Sequence, residues 1–470
     1  MSGKGCKKCH TKSRRRRNKD KEGRDRDYKD NDKSSGCGCG NPCKVERDEC
    51  SDDDVICTPY PPVGIYELSK SDNCSADALN AIIREFENSR FQEAVIMIPA
   101  SVQINDKICL TTTKKISFCG DLCHPALFNG DIVSCGNKNY SGINLGGNGI
   151  YQLNDTCNIC PAPDEFNNVI VSCDRSFVSN SKSGFTFSNS EFNIKQSKKF
   201  VIRMSQGNLR FDNNQVNLNP GSDAVGFTYY DSGDKHLITD SEFRVTDGNR
   251  CCDYGLHVLN SCTHVDSVGN SYYVECQTNI TIFLGDMNPA AVVHSINDYA
   301  EESDTSATIT LMKNIPGDTL FSGSTYLISK LIVLDTTKAR LGNTESRKAG
   351  ITKFTGVAWI NPSNRDEPAI SITSDQLPDS LGDTYTLEIN NSEISADLNV
   401  DTIQVFGDQP MHFTSVQSTF QNRTGDLTLR YFSGENTNII TYTYGSLSVF
   451  FTPADNTGGL VALGAASPVF

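Results

Sequence analysis

The sequence predicts an all-β fold: a right-handed, single-stranded parallel β-helix with an N-terminal capping helix, preceded by a disordered basic arm. Three observations predict it. A motif of two apolar residues flanking a turn of Asn and Ser recurs at intervals that suit one coil. A short amphipathic helix precedes the first run of short strands. The first 57 residues are charged, cysteine-rich and almost without apolar side chains. Composition agrees, since only 37% of the 470 residues are hydrophobic and Trp359 is the sole tryptophan, a mixture suited to many short strands joined by polar turns.

Residues 1–33 hold 14 Lys or Arg against 6 Asp or Glu, a net of about +8, so the rest of the chain carries about −22 of the total −14. Such an arm cannot bury enough surface to offset the entropy of ordering. It reads either as an electrostatic tether for nucleic acid or an acidic partner, or as a solvated tail with a localisation signal at Arg14 to Arg17. Cys6 and Cys9 have the spacing of a zinc knuckle, and Cys39 and Cys43 could complete a tetrahedral thiolate site. The irregular, glycine-rich second cluster leaves intermolecular disulfides or simple redundancy as alternatives. The acidic body repels phosphate backbones and anionic membranes, which confines any nucleic-acid contact to the arm. No stretch has the roughly 20 apolar residues of a membrane span, and no apolar leader follows Met1. The expected location is therefore a virion or the cell interior, with the cysteines reduced by default.

Thr58-Pro-Tyr-Pro-Pro62 marks the linker into the folded body, expected over 58–450, with a Gly/Ala-rich tail at 451–470. Ser75 can cap a helix whose first turn carries Asp77, and Leu79, Ile82, Ile83 and Phe86 fall on one face. Short strands follow at Ala94 to Ile98, Val102 to Ile104, Ile108 to Leu110 and Ile116 to Cys119. This order, with the run VIMIPASVQINDKICL and then KKISFCGD, resembles the start of pectate-lyase-like (pectin-lyase-like) parallel β-helices. The resemblance covers about sixty residues and implies a helix covering the first coil, where unpaired backbone and apolar core would otherwise be exposed. It implies a fold and no particular reaction.

In the body, Phe187-Ser-Asn-Ser190-Glu-Phe192-Asn-Ile194 is matched 24 residues later by Phe211-Asp-Asn-Asn214-Gln-Val216-Asn-Leu218. Ile238-Thr-Asp-Ser241-Glu-Phe243-Arg-Val245 follows by 27, Val268-Gly-Asn-Ser271-Tyr-Tyr273 by 30, and Ile389-Asn-Asn-Ser392-Glu-Ile394 comes later. The chemistry suits an inward apolar residue, a corner where Asn tolerates the left-handed conformation, and a second inward apolar residue. The pattern predicts that Phe187, Phe211 and Ile238 stack, as do Phe192, Val216 and Phe243. It weakens over about 287–380, where an insertion or small subdomain is expected.

Enzymes on this scaffold that act on polysaccharides need carboxylates on one exposed face, to bind calcium and uronate or as an acid and base pair. The candidate constellation is Asp223, Asp231, Asp234, Lys235 and His236, with Asp253 and His257 about one coil later. The paired-Asp and Gly-His-Gly motifs of polygalacturonases are absent from the sequence. Acidic loops on an acidic body also need no catalytic explanation. The leading expectation is thus a non-catalytic structural or surface-adhesion protein, since the arm and the missing leader resemble structural proteins of large DNA viruses. That resemblance implies a virion component with surface-protein partners and a homotrimer. The alternative is a polysaccharide lyase or glycoside hydrolase acting on acidic glycans, with calcium if a lyase.

Overall fold

The computed structural model describes residues 63–69, 75–154 and most of 162–335, then 350–361 and the strands beyond 369 with their nearest turns. The chain divides into two compact units, Met1–Gly38 and Cys39–Phe470, and the described residues all lie in the second. They form a parallel β-solenoid. Each coil contributes one strand to each of three sheets, which we call I, II and III in chain order. Sheet I has 16 strands, sheet II 13 and sheet III 14, and each strand pairs with the equivalent strand of the coils before and after. One coil, for example, is Leu209–Asp212 in sheet I, Gln215–Pro220 in sheet II and Gly226–Tyr230 in sheet III.

The helix Ala76–Asn88 forms where its residue pattern predicts it. Ser75 accepts a hydrogen bond from the Ala78 amide, and Leu79, Ile83 and Phe86 are buried while Ile82 is only half-buried. It packs on Ile108–Leu110, the first strand of sheet III. There the Asn80 side chain donates to the Lys107 carbonyl and accepts from the Cys109 amide, satisfying part of an edge that no earlier coil pairs. Lys114 donates to the carbonyls of Phe86, Glu87 and Ser89, closing the helix at the end where a cation is favoured. Ahead of the helix, Val63–Glu67 adds a strand to sheet I beside Glu93–Met97, which the pattern in the sequence does not announce.

Strand alternation sends every second side chain inward, and parallel register stacks like positions about 4.8 Å apart. On the inner face of sheet I this builds a column of Phe118, Tyr140, Phe166, Phe187 and Phe211, with centroid separations between 4.6 and 5.9 Å. The predicted stacking of Phe187, Phe211 and Ile238 and of Phe192, Val216 and Phe243 is present in the strand register. One copy of the motif is shifted by a residue. Ser267, not Val268, is the inward partner of Ile238, and Tyr272, not Tyr273, that of Phe243. The apolar Val268 imitates the inward position, but Ser267 occupies it because its hydroxyl meets the Tyr272 hydroxyl at 2.9 Å.

The corner between sheets I and II repeats most strictly. Asn168, Asn189, Asn213, Asp240, Gly269, Asn297, Gly323, Gly356 and Asn391 occupy it with φ between 48° and 68°. The following residue turns inward, and except at Val169 and Val357 its side-chain oxygen accepts the backbone N–H of the equivalent residue one coil earlier. Asn214 accepts from Ser190, Ser241 from Asn214, Asn270 from Ser241, Asp298 from Asn270 and Ser324 from Asp298, at 2.8 to 3.1 Å. These groups are almost fully buried, so each rung satisfies a donor that would cost about 1–3 kcal/mol if left alone.

Within 287–380, where an insertion or small subdomain is expected, the described strands belong to the solenoid, while 304–307 and 362–368 lie outside the described residues. Strands from Val292–Ile296 through Ile370–Thr373 pair in parallel with their neighbours, although 336–349 and 374–384 lie outside the described residues. Their interior relies on Ser295, Thr319 and Ser329 as well as apolar groups, which blurs the hydrophobic period. At the C-terminal end Leu447–Phe451 pairs antiparallel with Ile440–Tyr444 and Gly459–Gly464 with Asp426–Phe432, the last segment lying in part of the expected tail. Cys119 is disulfide-bonded, unlike the reduced default expected for every cysteine. Among the described residues no helix is long and apolar enough to cross a membrane.

Candidate functional site on the outer face of sheet I

The carboxylates singled out in the sequence face different ways. Asp223 is exposed in the turn before Gly226–Tyr230, whereas Asp231 follows that strand. The five-residue strand between them keeps the two carboxylates at its opposite ends. Asp231 pairs with Arg203 at 3.3 Å and accepts from Asn260 at 2.8 Å. Asp234 accepts the Gly207 amide at 2.8 Å, which is a loop-fixing role. His236 points into the core and stacks on Tyr230 at 4.2 Å, and its Nδ1 accepts the Leu209 amide. Burial pushes its pKa down to about 4, so it is neutral near pH 7. His257 is also internal and falls to about 3 for the same reason, while Asp253 and the arm cysteines Cys6, Cys9, Cys39 and Cys43 lie outside the described residues.

Lys235 faces outward, because neighbours on a strand point to opposite faces. It leads to a constellation that none of the sequence motifs indicated. Lys235 stands beside His264 in the register, and Asp266 stands beside His294. His264 and Asp266, two apart on one strand, share the outer face. The four groups therefore converge from three successive coils. Lys235 Nζ lies 2.7 Å from Asp266 Oδ2, while His264 Nε2 and His294 Nδ1 lie 2.7 and 3.1 Å from Asp266 Oδ1. Partial burial of Asp266 opposes its ionisation. Hydrogen bonds and charge from Lys235 and His264 outweigh that and hold its carboxyl below the usual range. The side chains of Lys235, His294 and His264 are 60%, 35% and 29% exposed, so solvent and a ligand can reach them.

A buried polar network lies beneath these coils. His257 contacts Thr228 at 2.9 Å and Tyr272 at 3.4 Å; Tyr272 meets Ser267, and Ser267 accepts from Asn270 at 2.9 Å. Asn270 donates its amide to Asp298, which accepts from Ser295, itself 2.8 Å from Tyr326. Ser267 and Ser295 directly follow Asp266 and His294 in sequence, so the network fixes the strands that carry the outer groups. Elsewhere on the same face a shallow pocket of about 50 Å³ is lined by Ser117, Asn139, Glu165 and Asn167 among others, too small for a sugar ring.

No family model matches this chain, and no curated protein matches it. Among solved structures, a PL6 family alginate lyase, AlyGC, is similar with 7% identity and a TM-score of 0.32, over 82% of this chain and 81% of that one. sacteLam55A from Streptomyces sp. SirexAA-E is similar with 10% identity and a TM-score of 0.20, over 86% and 98%. Likenesses with TM-scores this low say nothing about this chain's activity.

Proposed function

We propose that the outer face of sheet I at Lys235, His264, Asp266 and His294 acts on acidic polysaccharide by β-elimination. The observation that carries this reading is the convergence of three nitrogen bases on one carboxylate, on an exposed face spanning three coils. Elimination next to a uronate carboxylate needs a cation against that carboxylate and a base for the adjacent proton, and imidazole and amine groups serve both roles. Hydrolysis by an acid and base pair needs two carboxyl groups roughly 5 to 9.5 Å apart, and this cluster offers one. Between the two reactions expected from the sequence, the geometry therefore favours the lyase. Solvent access along an open face suits a polymer that lies across coils instead of entering a cavity.

The second reading is a non-catalytic surface or virion component anchored by its arm, and one observation speaks for the absence of catalysis. The four groups already satisfy one another, as a purely structural ion cluster would. Incubating the full-length protein with polyuronates and following the ultraviolet absorbance of the conjugated product separates the two. The lyase reading expects product from the wild type and a loss of roughly 100-fold or more in kcat/KM for His294→Ala. Absence of product from every polyuronate tried, with the protein folded, overturns it in favour of the scaffold.

A further inference from the structure

We propose that His264, Asp266 and His294 hold a divalent first-row transition-metal ion, with zinc as the reference case. This deepens the reading above and rests on it only for what the ion does, not for whether it binds. The donor atoms all lie within 4.8 Å of one another, and this is the trio of potential ligands found among the described residues. Two atoms bonded to one ion at about 2.1 Å stand about 3.0 Å apart in an octahedral arrangement and about 3.4 Å apart in a tetrahedral one. The Asp266 oxygen lies 2.7 and 3.1 Å from the two imidazole nitrogens, close to such an edge, and the nitrogens, within 4.8 Å of each other, would close on an ion by side-chain rotation with the strands in place.

The donor set chooses the metal. Two imidazoles and one carboxylate suit zinc, iron, cobalt or nickel, whereas calcium asks for six to eight oxygens. The imidazoles sit on adjacent strands with their rings 4.8 Å apart and nearly perpendicular, so both project from one face and leave the solvent side open for water or a substrate oxygen. The outer shell is in place as well. Lys235 holds the second Asp266 oxygen at 2.7 Å and leaves Oδ1 for the ion. Beneath, the hydrogen bonds of Ser267 to Tyr272 and of Ser295 to Asp298 and Tyr326 anchor the backbone on which the ligands stand. The ion would supply the positive charge against the uronate carboxylate, and Lys235, paired with Asp266 at 2.7 Å, would add a second cation beside it.

The test counts metal. Full-length protein, reduced and stripped with chelator, is titrated with Zn²⁺ alone and then with Co²⁺ alone, alongside His294→Ala and Asp266→Asn. Thiolates of the arm bind equally in all three, so the expectation is one equivalent fewer in each variant. The missing Co²⁺ should contribute visible ligand-field absorption without thiolate charge transfer. Trp359, fully buried in sheet II, reports by its fluorescence that the variants are folded, and His264→Gln is the substitute if either is not. Equal stoichiometry in the wild type and the folded variants overturns the proposal. If stoichiometry is equal yet polyuronate is still cleaved, the ion falls and the lyase reading stands. One lost equivalent with no cleavage of any polyuronate keeps the ion and removes the lyase reading.

Discussion

The inner column of sheet I is aromatic from Phe118 to Phe211 and again at Phe321 and Phe354, but between them it runs Ile238, Ser267, Ser295. The aromatic region gains from each ring stacked on the next, and within the column only Tyr140 takes a hydrogen bond, from the Tyr151 hydroxyl at 3.1 Å. The middle region gives up that packing for a network joining His257, Tyr272, Asn270 and Asp298, and it is this region that carries Lys235, His264, Asp266 and His294 on its outer side. A well-packed solenoid can place charge anywhere on its surface. One that also replaces core rings with directional bonds beneath the same coils is holding particular strands in a particular register.

The largest test of this contrast strikes where the two regions meet. Phe243 lies 5.8 Å from Phe211 and 5.2 Å from Tyr272, so Phe243→Asp strands a carboxylate between them. We expect a loss of about 5 kcal/mol or more, read as unfolding in urea followed through Trp359. Wild-type stability of this variant would show that the interior is not continuous there.

Within the aromatic region, Phe166→Ala removes stacking on Tyr140 at 5.0 Å and Phe187 at 4.6 Å and should cost about 3–5 kcal/mol. A cost below about 1 kcal/mol would mean that the column is not a cooperative unit.

The polar region should respond in the opposite sense. Desolvation raises the pKa of Asp298 from 3.8 to about 6 despite hydrogen bonds from Ser267, Ser295 and Asn270. Between those values the folded protein binds the proton more tightly than the unfolded chain, so stability present at low pH is lost as pH rises through about 6. Asn270 fills the same place one coil earlier, accepting from Ser241 and donating to Ile238 and Ser267, so the fold already accommodates an amide. Asp298→Asn should therefore stabilise the protein above pH 6 by an amount on the order of 3 kcal/mol and match the wild type below pH 4. His236 and His257 act the other way. Their folded pKa values, about 4 and about 3, lie below 6.5, so they lower stability as pH falls from about 6.5. A uniform offset at all pH values would refute the assignment to Asp298.

The smallest stability effect belongs to the outer cluster. His294→Ala removes a half-buried partner and should change stability by less than about 1 kcal/mol while lowering kcat/KM on polyuronate by the roughly 100-fold or more that the lyase reading expects. A larger destabilisation would place the cluster among structural contacts.

The helix, the coil interval and the stacking of Phe187 with Phe211 could all be read from the sequence, because strong periodic burial leaves a local signature. The outer site could not, since its members belong to three coils and only Lys235 stood near the carboxylates that drew attention. The signal existed in the corner. Asp266 stands three residues before Gly269, and His294 three before Asn297, each a left-handed corner residue. Counting back from the corner aligns them, but the one-residue slip at Val268 hid that alignment. Apolarity alone could not correct it, because the true inward residues, Ser267 and Ser295, are polar.

The side-chain ladder at that corner ties equivalent positions that are anywhere from 21 to 35 residues apart in the chain. One vertex of most described coils is thereby stapled, and changes in coil length are left to the other two. Lineages of such a protein can gain or lose surface loops there without disturbing the strands, and foreign peptides grafted at those vertices should be displayed in rows. An insertion beside Asn213 would instead break the staple itself.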